Sequence, residues 1–451
     1  MGLLIENVRI FTNDEHNGVL ENVAVAIDGS RIVDIGPTQN IIADYAGEFE
    51  RLDGHGRLLM PGFTNAHMHF YGMYARGMSL NQPPHNFHEI LKYLWWALDK
   101  VLDDEAVYYS ALIPAISAVR YGVTSIIDHH ASPNACTGSL DQIEDALSKV
   151  GMRALLCYEV SDRDGKAIRD AGLTENERYM RKCQAAKAQN PGHLFDGMMG
   201  LHASFTLDDD SLEKAVAIAR SLNKGCHIHM LEDFVDETLT QELYGRSVVE
   251  RLNDFGVLDS RSITAHGIFL DDAGRKMLHD SDTIVVHQAQ SNMNNAVGRA
   301  DVFALLEQGV TVGLGTDGMT ADLRREIMTG YLMHKHHVGD NNLGWVEYET
   351  MAMKHNPAIY RRLTGQNVGR IEKDALADLI LVDYYPPTDF RGDNFWGHFL
   401  FGMVDADVNT TIINGKVIMH DKVIAGIDEQ EIAEASRSVA RRVWQKYSEA
   451  G

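Results

Sequence analysis

Two histidines one residue apart, His67 and His69, close a mostly apolar run and are the first candidates for chemistry in this sequence. On an extended strand, residues two apart point to the same side, so both imidazoles can reach one metal ion. The pair alone is a weak signal, because 21 histidines in 451 residues give about one such pair by chance. Its position at the end of a predicted strand therefore matters more than its spacing.

Other histidines occur in similar pairs, and their surroundings separate them. His227 and His229 close another predicted strand, and Glu232 follows as the chain leaves that strand. The histidines between residues 334 and 337 lie instead in a polar helical stretch. That context predicts a solvated helix face, so only the first of these two groups is kept as a candidate.

Three further predicted strands end in a histidine or an aspartate, namely His266, His287 and Asp317. Taken singly, each histidine is as well explained by a buried side chain under a loop, and Asp317 by a helix cap. The separation of His67 and Asp317 is about 250 residues, the usual length of an eight-stranded α/β barrel, whose closure makes the first and last strands neighbours. Three imidazoles and one carboxylate suit Zn²⁺ or Fe²⁺ better than Mg²⁺ or Ca²⁺.

Short β-rich runs alternate with helical segments through the middle of the chain, which is the rhythm of βαβ units. A closed (β/α)8 barrel and an open doubly wound sheet both fit this rhythm. Five predicted helices end at a glycine in a left-handed cap, at Gly122, Gly151, Gly225, Gly256 and Gly309. The eight β-rich runs are Leu58 to His69, Val123 to Asp128, Arg153 to Glu159, Met198 to His202, Cys226 to Met230, Ser262 to Gly267, Thr283 to His287 and Thr311 to Asp317.

Both ends of the chain have the alternating pattern and the turn residues of β-hairpins. Residues 1–57 and 371–426 are therefore predicted to build one small β-domain beside a barrel of residues 58–370. The segment from Asp428 to Glu449 places apolar residues at helical spacing, which predicts an amphipathic packing helix within residues 427–451.

The overall charge indicates which partners to exclude. A formal net charge of -23 repels nucleic-acid phosphates and anionic lipid surfaces, so neither nucleic acid nor a membrane is a predicted partner. We find no apolar run of membrane-spanning length, and Met1 to Asp14 lacks the pattern of a signal peptide, so a cytoplasmic location is expected. The four cysteines are far apart and are expected to be free thiols.

Short motifs along nearly the whole chain form a recognisable set. They are Pro61 to His69, Ala75-Arg76-Gly77, Tyr121 to Thr124, Gly200 to Ala203, His229 to Glu232, Ala265-His266, Ser291-Asn292 and Gly315 to Gly318. This set resembles the amidohydrolase superfamily, in particular the aminohydrolase branch with adenosylhomocysteine deaminases and triazine hydrolases, and most of all its SsnA-type members. The resemblance implies an α/β fold, a (β/α)8 TIM barrel with a small β-sandwich domain built from both chain termini.

The resemblance also implies a role for each matching residue. In the family reaction, a metal-activated water replaces an amino group on a heterocycle. Glu232, His266 and Asp317 would be the catalytic residues: Glu232 protonates the ring nitrogen, His266 orients the nucleophile and Asp317 accepts a proton. One divalent metal ion per chain, Zn²⁺ with Fe²⁺ as the alternative, would be bound by His67, His69, His229 and Asp317. The substrate would be contacted by His202, Arg76, His287, Ser291 and Asn292.

Two segments depart from the pattern of the family. His287-Gln288-Ala289-Gln290 stands where many relatives have His-Asn-Pro, and Phe87 to Leu91 replaces their Trp-Leu. Both segments lie where relatives bind substrate. A free purine, a pterin or a related base is therefore expected at least as much as a nucleoside.

We predict a hydrolase of carbon–nitrogen bonds other than peptide bonds, which deaminates an amino-substituted N-heterocycle. The first alternative is a mononuclear cyclic-amide hydrolase of the hydantoinase type. The fourth run, Met198 to His202, lacks the lysine that a dinuclear enzyme of that type uses. The second alternative is a non-catalytic binding relative, which would not need a complete set of ligands and acid. The predicted partners are a small heterocyclic substrate and further copies of the chain, as a dimer or tetramer.

Overall fold

Two sheets organise the protein, which the computed structural model describes for residues 2–45 and 47–450. One sheet comes from the two ends of the chain and the other from its middle. The strands are β1 (Gly2–Phe11), β2 (Val19–Asp28), β3 (Arg31–Pro37), β4 (Phe49–Asp53), β5 (Leu58–Pro61), β6 (Phe63–Met68), β7 (Val123–His130), β8 (Arg153–Val160), β9 (Phe195–Gly197), β10 (Met199–Ala203), β11 (Cys226–Met230), β12 (Ile263–His266), β13 (Ile284–His287), β14 (Val312–Leu314), β15 (Leu379–Val382), β16 (Val408–Ile413), β17 (Lys416–His420) and β18 (Val423–Ile424).

The middle sheet is a parallel barrel with strand order β6, β7, β8, β10, β11, β12, β13, β14, and β9 pairs with β8 at the start of the fourth strand. A parallel bridge between Met68 and Asp317 joins the first strand to the end of the last. The amide N–H groups of Thr316 and Asp317 both donate to the carbonyl oxygen of His67, at 2.9 and 3.1 Å. The predicted barrel is therefore confirmed, and the alternative of an open sheet is excluded.

The sheet from the chain ends has strand order β18, β17, β16, β15, β5, β1, β2, β3, with β4 on β1. It curls over on itself, because the N–H of Ile32 in β3 donates to the carbonyl of Ala375 just before β15, at 3.0 Å. Its concave side encloses an apolar core that includes Ile5, Val25 and Leu379. The predicted β-domain built from both termini is thus present.

Helices connect most of the barrel strands, and others lie on the β-domain or after the last barrel strand. They are α1 (Thr38–Tyr45), α2 (Phe87–Ile90), α3 (Trp96–Asp99), α4 (Asp104–Arg120), α5 (Ser139–Val150), α6 (Lys166–Gln189), α7 (Asp209–Ser221), α8 (Phe234–Tyr244), α9 (Val248–Asp254), α10 (Asp272–Asp280), α11 (Ala289–Asn294), α12 (Val302–Glu307), α13 (Leu323–Val338), α14 (Trp345–Glu349), α15 (Asn356–Thr364), α16 (Phe395–His398) and α17 (Glu429–Ala450). Helix α1 packs on the β-domain, and α14 to α17 follow the last barrel strand. Among the described residues, no helix has a stretch long and apolar enough to span a bilayer.

The predicted C-terminal helix is present as α17, which buries Ile432, Val439 and Val443. The carboxylate of Asp428 accepts the N–H groups of residues 430 and 431 and so caps its first turn. The Trp444 indole N–H of α17 donates to a carbonyl in the turn that follows β6, at 2.8 Å. The helix therefore supports the segment that leaves the first barrel strand.

Three sequence expectations differ from the structure. The first predicted run is divided, because Leu58–Pro61 belongs to the sheet from the chain ends and Phe63–Met68 begins the barrel. Gly225 has no positive φ; a Cβ at this position would lie 2.1 Å from the carbonyl oxygen of Arg261, so close packing requires the glycine. His334, predicted on a solvated face, is fully buried and bonded to the Tyr348 hydroxyl at 2.7 Å, because α14 covers this side of α13.

One buried ion pair joins the barrel to the β-domain. The guanidinium of Arg153, at the start of β8, donates to both carboxylate oxygens of Asp378, at 2.6 and 3.1 Å. It also donates to side-chain oxygens of Gln366 and Asn414, at 2.8 and 3.0 Å. Arg153 is completely buried, so its loss leaves the oxygens of Gln366 and Asn414 without a donor and Asp378 with only the backbone N–H of Asn414.

We therefore expect Arg153→Met to destabilise the protein by about 3–5 kcal/mol, the usual cost of breaking a buried pair from one side. Urea unfolding followed by circular dichroism measures the loss. The matched control is Arg181→Met, which removes an exposed pair with Glu177 and should cost less than about 1 kcal/mol. Equal losses in the two variants would contradict the structural role given to Arg153.

Candidate active site

The ends of the first and last barrel strands bring His67, His69 and Asp317 together. His67 is the fifth residue of β6, and His69 follows the strand, so both rings point into the mouth of the barrel. Asp317 follows β14 in a left-handed backbone conformation, with φ of 53°. Its carbonyl accepts the N–H of His69 at 3.2 Å, which fixes this residue beside β6.

The side-chain donors of these residues and of His229 converge on one point. His69 Nε2 lies 3.0 Å from Asp317 Oδ1 and 3.0 Å from His229 Nε2. His67 Nε2 lies 3.4 Å from the same Asp317 oxygen and has no hydrogen-bond partner among the described residues. Donors bound tetrahedrally at about 2.0 Å to one zinc ion lie about 3.3 Å apart. The spacing and chemistry of this donor set therefore fit a metal ion such as Zn²⁺.

In each of the three histidines, Nδ1, the ring nitrogen that faces away from the site, already takes part in a hydrogen bond. His69 Nδ1–H donates to the carbonyl oxygen of His129 at 2.5 Å, and His229 Nδ1–H donates to that of His202 at 3.0 Å. A carbonyl oxygen can only accept, so Nδ1 holds a hydrogen in both rings. Burial acts to lower the pKa of His69, but its hydrogen bond with Asp317 outweighs this effect and raises that pKa to about 9, so its Nε2 is free for a metal ion once it releases a proton. Such bonds to the remote nitrogen orient histidines for metal binding.

His67 is oriented by a longer chain of buried side chains. Its Nδ1 lies 2.8 Å from His227 Nε2, and His227 Nδ1 lies 3.8 Å from the Cys157 sulfur. The Cys157 thiol in turn donates to the carbonyl oxygen of Asp128 at 3.4 Å. The last atom in this series of hydrogen bonds is the Asp128 carbonyl oxygen, which can only accept. Each group therefore donates to the next, from His67 Nδ1 to His227 and from His227 Nδ1 to Cys157. That order leaves His67 Nε2 unprotonated and facing Asp317.

A carboxylate and a further histidine lie beside this donor set. Glu232 Oε2 is 3.3 Å from His266 Nε2, and Glu232 Oε1 accepts the amide N–H of Asn295 at 3.4 Å. His266 Nδ1 is bonded to the side-chain oxygen of Asn292 at 2.9 Å, which directs its other nitrogen toward the site. A nitrogen of His266 also lies within 4.8 Å of the ligand atoms of His67, His229 and Asp317. His266 therefore faces both Glu232 and the donor set.

The backbone around these residues is held in an uncommon conformation. Leu231, His266 and Asp317 have φ values of 53°, 76° and 53°, in the left-handed region that non-glycine residues seldom adopt. A residue held in such a sparsely populated region costs of order 1–3 kcal/mol, and such costs are typical of functional sites. Each of these three residues lies at the end of a barrel strand or just beyond it. The strained backbone directs its own side chain, or that of the next residue, toward the site.

The two acidic groups of the site have opposite pKa shifts. Burial raises the pKa of Glu232 well above its usual range, and the nearby carboxylates of Asp317 and Asp236 raise it further. Burial also acts to raise the pKa of Asp317, but its contacts with His67 and His69 outweigh this effect and hold that pKa well below its usual range. The site thus combines a carboxyl group that resists ionisation with a carboxylate that resists protonation, a pairing suited to acid–base catalysis.

A narrow cavity opens above these groups. It contains about 590 Å³ of space without protein atoms, open solvent included, but only about 50 Å³ admits the centre of a water molecule. Aromatic and aliphatic side chains form its walls, and the polar groups lie on its floor. The wall residues include Tyr71, Phe87, Leu91, Trp95, Trp96 and Phe205, and the floor residues are His69, Glu159, His202, His229, Glu232 and Asp317. This shape suits a flat ring.

The structure brings only some of the predicted substrate contacts to this cavity. His202 lines it, whereas Arg76, His287, Ser291 and Asn292 do not. His287 is completely buried beside His334, with ring centroids 5.2 Å apart. Asn292 lies behind His266 and reaches the cavity only through it. Arg76 follows a turn on the outer side of the first strand.

Sequence reasoning missed several residues of the cavity. Glu159 is the last residue of the third predicted run, so the rule applied to the other strands would have identified it. His129, which contacts Glu159 but does not line the cavity, lies one residue beyond the predicted end of the second strand, which extends to His130. Trp95 and Trp96 lie in the helical segment between the first two barrel strands, where no periodic pattern marked them. Asn295 lies at the end of α11, and only the folding of the chain brings it into contact with Glu232.

A buried set of histidines and an aspartate at the mouth of a parallel barrel defines a class of metal-dependent hydrolases, and comparison with known proteins identifies the family. The family model described as "Amidohydrolase family" matches residues 58–418. The chain therefore belongs to the amidohydrolase family. This result confirms the resemblance that the sequence motifs indicated.

Similar proteins extend over nearly the whole chain. The 5'-deoxyadenosine deaminase of Methanosarcina mazei is 29% identical over 446 residues, which cover 98% of each chain. The 5-methylthioadenosine/S-adenosylhomocysteine deaminase of Pelotomaculum thermopropionicum is 29% identical, covering 98% of this chain and 99% of the relative. These relatives confirm the predicted class, a metal-dependent aminohydrolase acting on carbon–nitrogen bonds.

Solved structures show the same fold. An adenosine deaminase from Xanthomonas campestris with bound zinc superposes with a TM-score of 0.82 at 22% identity, covering 98% of each chain. Atrazine chlorohydrolase from Arthrobacter aurescens, complexed with zinc, superposes with a TM-score of 0.80 at 19% identity, covering 97% of this chain and 100% of the other. Both structures support the predicted combination of a barrel with a β-domain.

Proposed function

We propose that this enzyme deaminates a planar amino-substituted N-heterocycle by hydrolysis, using one Zn²⁺ bound by His67, His69, His229 and Asp317. The observation that supports it most is that His69 Nε2 lies 3.0 Å from ligand atoms of both Asp317 and His229, while His67 Nε2 lies 3.4 Å from the same Asp317 oxygen, beside a carboxyl group with a raised pKa. His69 is assigned as a ligand rather than His266, because it lies 3.0 Å from two other ligand atoms. His266 instead faces Glu232.

The reaction needs a nucleophile at the amino-bearing carbon and a proton for the departing amine. When bound, a divalent metal lowers the pKa of water from 15.7 to about 7 and so makes a nucleophile available at neutral pH. Asp317 is ionised and takes the proton that this water loses. His266 Nε2, unprotonated because Nδ1 serves Asn292, holds the water in line with the ring.

Glu232 supplies the proton that the ring requires. Its carboxyl group, kept protonated by burial and by nearby carboxylates, donates to the ring nitrogen next to the attacked carbon. The carbon–oxygen bond forms as the ring accepts this proton. The carbon–nitrogen bond then breaks, and the proton held by Asp317 leaves with the amine as ammonia. The products are the oxo-substituted ring and ammonia, and both carboxyl groups return to their starting states once Glu232 regains its proton from the new hydroxyl group.

The shape of the cavity supports a flat substrate. Trp95, Trp96 and Phe205 contribute apolar ring surface to its walls, and burying a flat ring there excludes bulk water from the polar floor. The fourth barrel strand, formed by Phe195–Gly197 and Met199–Ala203, contains no lysine. That composition favours a single metal, and the deaminase relatives favour ammonia release over the opening of a cyclic amide.

Glu232→Gln tests the proposed acid. We expect kcat for ammonia release to fall by about 10² to 10⁴, because an amide cannot deliver the proton, while bound zinc stays at one ion per chain. Coupled ammonia assays and elemental analysis measure the two quantities. The matched control is Glu242→Gln, an exposed carboxylate on α8, which should leave both unchanged. Normal turnover by Glu232→Gln would refute the role of this residue.

Removal of the metal tests the ligand set. Dialysis against a chelator should abolish ammonia release, and added Zn²⁺ should restore it, because the nucleophile depends on the ion. His229→Ala should in addition retain far less than one zinc per chain after purification in zinc-containing buffer. A chelated enzyme that stays fully active, or a His229→Ala enzyme with its full metal content, would disprove the proposed site.

His227→Phe tests the chain of bonds that orients His67. Loss of such a supporting partner typically weakens metal binding about 10- to 100-fold, so zinc affinity measured against a competing chelator should fall by that factor. His334→Phe is the control, because His334 is equally buried but lies away from the donor set. Unchanged zinc affinity in His227→Phe would show that His67 needs no such support.

A further inference from the structure

A second carboxylate on the floor of the cavity has no role in the reaction derived above. Glu159 lies near the C-terminal end of β8 and is only 5% exposed, and it lines the cavity. One of its oxygens lies within 4.8 Å of ring nitrogens of His69 and His229. The side chain is therefore close enough to the reaction centre to touch a bound ring.

Hydrogen bonding shows what this carboxylate can offer. Glu159 Oε2 lies 3.1 Å from His129 Nδ1, and His129 Nε2 donates to the carbonyl oxygen of His227 at 3.1 Å. One proton therefore lies between Oε2 and Nδ1, whichever of the two atoms holds it. In both arrangements the other oxygen, Oε1, has no hydrogen. Oε1 is thus a hydrogen-bond acceptor only.

The described residues provide no donor for this oxygen. The nearest candidate is His202 Nε2, at 3.7 Å. That nitrogen accepts the indole N–H of Trp96 at 3.4 Å, and the other ring nitrogen is bonded to Thr206 Oγ1 at 2.8 Å. His202 therefore turns an electron pair, not a hydrogen, toward Glu159. A buried acceptor without a donor is costly unless a ligand provides the hydrogen.

The barrel places this acceptor across the site from the proposed acid. Glu159 belongs to β8, the third barrel strand, while Glu232 follows β11 and contacts His266 at the end of β12. His69 and His229, two of the proposed metal ligands, lie within 4.8 Å of Glu159. A ring whose amino-bearing carbon lies at the metal centre would therefore turn one neighbouring ring atom toward Glu232 and the other toward Glu159.

We infer, building on the proposed function, that the substrate is a ring whose amino-bearing carbon lies between an unprotonated ring nitrogen and a ring N–H. Glu232 protonates the first nitrogen, and Glu159 Oε1 accepts the hydrogen bond of the second. The 2-amino-4-oxopyrimidine unit of guanine and of pterins has this arrangement. Adenine does not, because the carbon that bears its amino group has a ring carbon on one side and the nearby N7 is an acceptor.

The test compares guanine with 2-aminopurine, which has the same amino group but an acceptor in place of the N–H. For the unchanged enzyme, kcat/KM should favour guanine, and Glu159→Leu should lower the ratio of the two values by about 10- to 100-fold, the usual effect of one hydrogen bond to a charged group. Using the ratio cancels the intrinsic reactivity of each ring. The Glu159→Gln variant, which keeps an oxygen able to accept, should retain more of the preference.

A binding measurement separates recognition from turnover. The fluorescence of 2-aminopurine and its displacement by guanine give both Kd values for the inactive Glu232→Gln protein. Guanine should bind about 10- to 100-fold more tightly, and Glu159→Leu in this background should remove the difference. If Glu159→Leu does not fold, the two Kd values of the Glu232→Gln protein still test the preference for guanine.

Each of the following outcomes would contradict one part of the inference. Equal losses on both rings would give Glu159 a structural role, and loss of zinc from Glu159→Leu would make it a metal ligand. Deamination of 5'-deoxyadenosine but of neither guanine nor pterin would reject the N–H requirement and leave the proposed function intact. No ammonia from any of these amines would reject the proposed function itself.

Discussion

The closure of the barrel is the constraint on which the site depends. The carbonyl oxygen of His67 accepts two N–H groups from the last strand, and the carbonyl of Asp317 accepts the N–H of His69. These backbone bonds bring together two segments about 250 residues apart, as expected when the first and last strands of a barrel meet. A set of donors held by backbone pairing loses little freedom when it binds an ion, which favours a site formed before the metal arrives.

Burial determines the charge states around that set. The donors lie in a water-poor floor, where an imidazole is easier to keep neutral than charged and an isolated carboxyl group is easier to keep protonated. Glu232 follows this rule, whereas Asp317 is ionised because two histidines face it. One environment thus provides an acid and a base a few ångströms apart. The hydrogen bonds from ring nitrogens to backbone carbonyls extend this control, because they decide which nitrogen of each histidine is free.

The residues of this chain and the names of its relatives indicate different substrates. The similar proteins act on adenine-containing nucleosides, as their names state, and at 29% identity their metal chemistry is more readily shared than their specificity. In this chain, Phe87, Leu91 and two tryptophans line the cavity from the helical segment that follows the first strand. That segment is also where the sequence departs from the family pattern. The hydrogen bonding of Glu159 underlies the inference above that the substrate has its own ring N–H.

The sequence by itself determined the alternation of strands and helices, the β-domain shared by both chain ends, and the polar residues at strand ends, because these depend on local periodicity and on which residues can end a strand. The resemblance of its motifs to a known family implied that His67, His69, His229 and Asp317 belong together, whereas the rhythm of strands alone left a closed barrel and an open sheet both possible. Only the tertiary structure decided which polar residues reach the cavity. His287 ends a strand like the others but is buried against His334 of α13, and Asn292 lies within α11 behind His266, whereas Glu159 and the tryptophans line the cavity. The reason is that packing between distant segments, which no local pattern encodes, sets the direction and burial of each side chain.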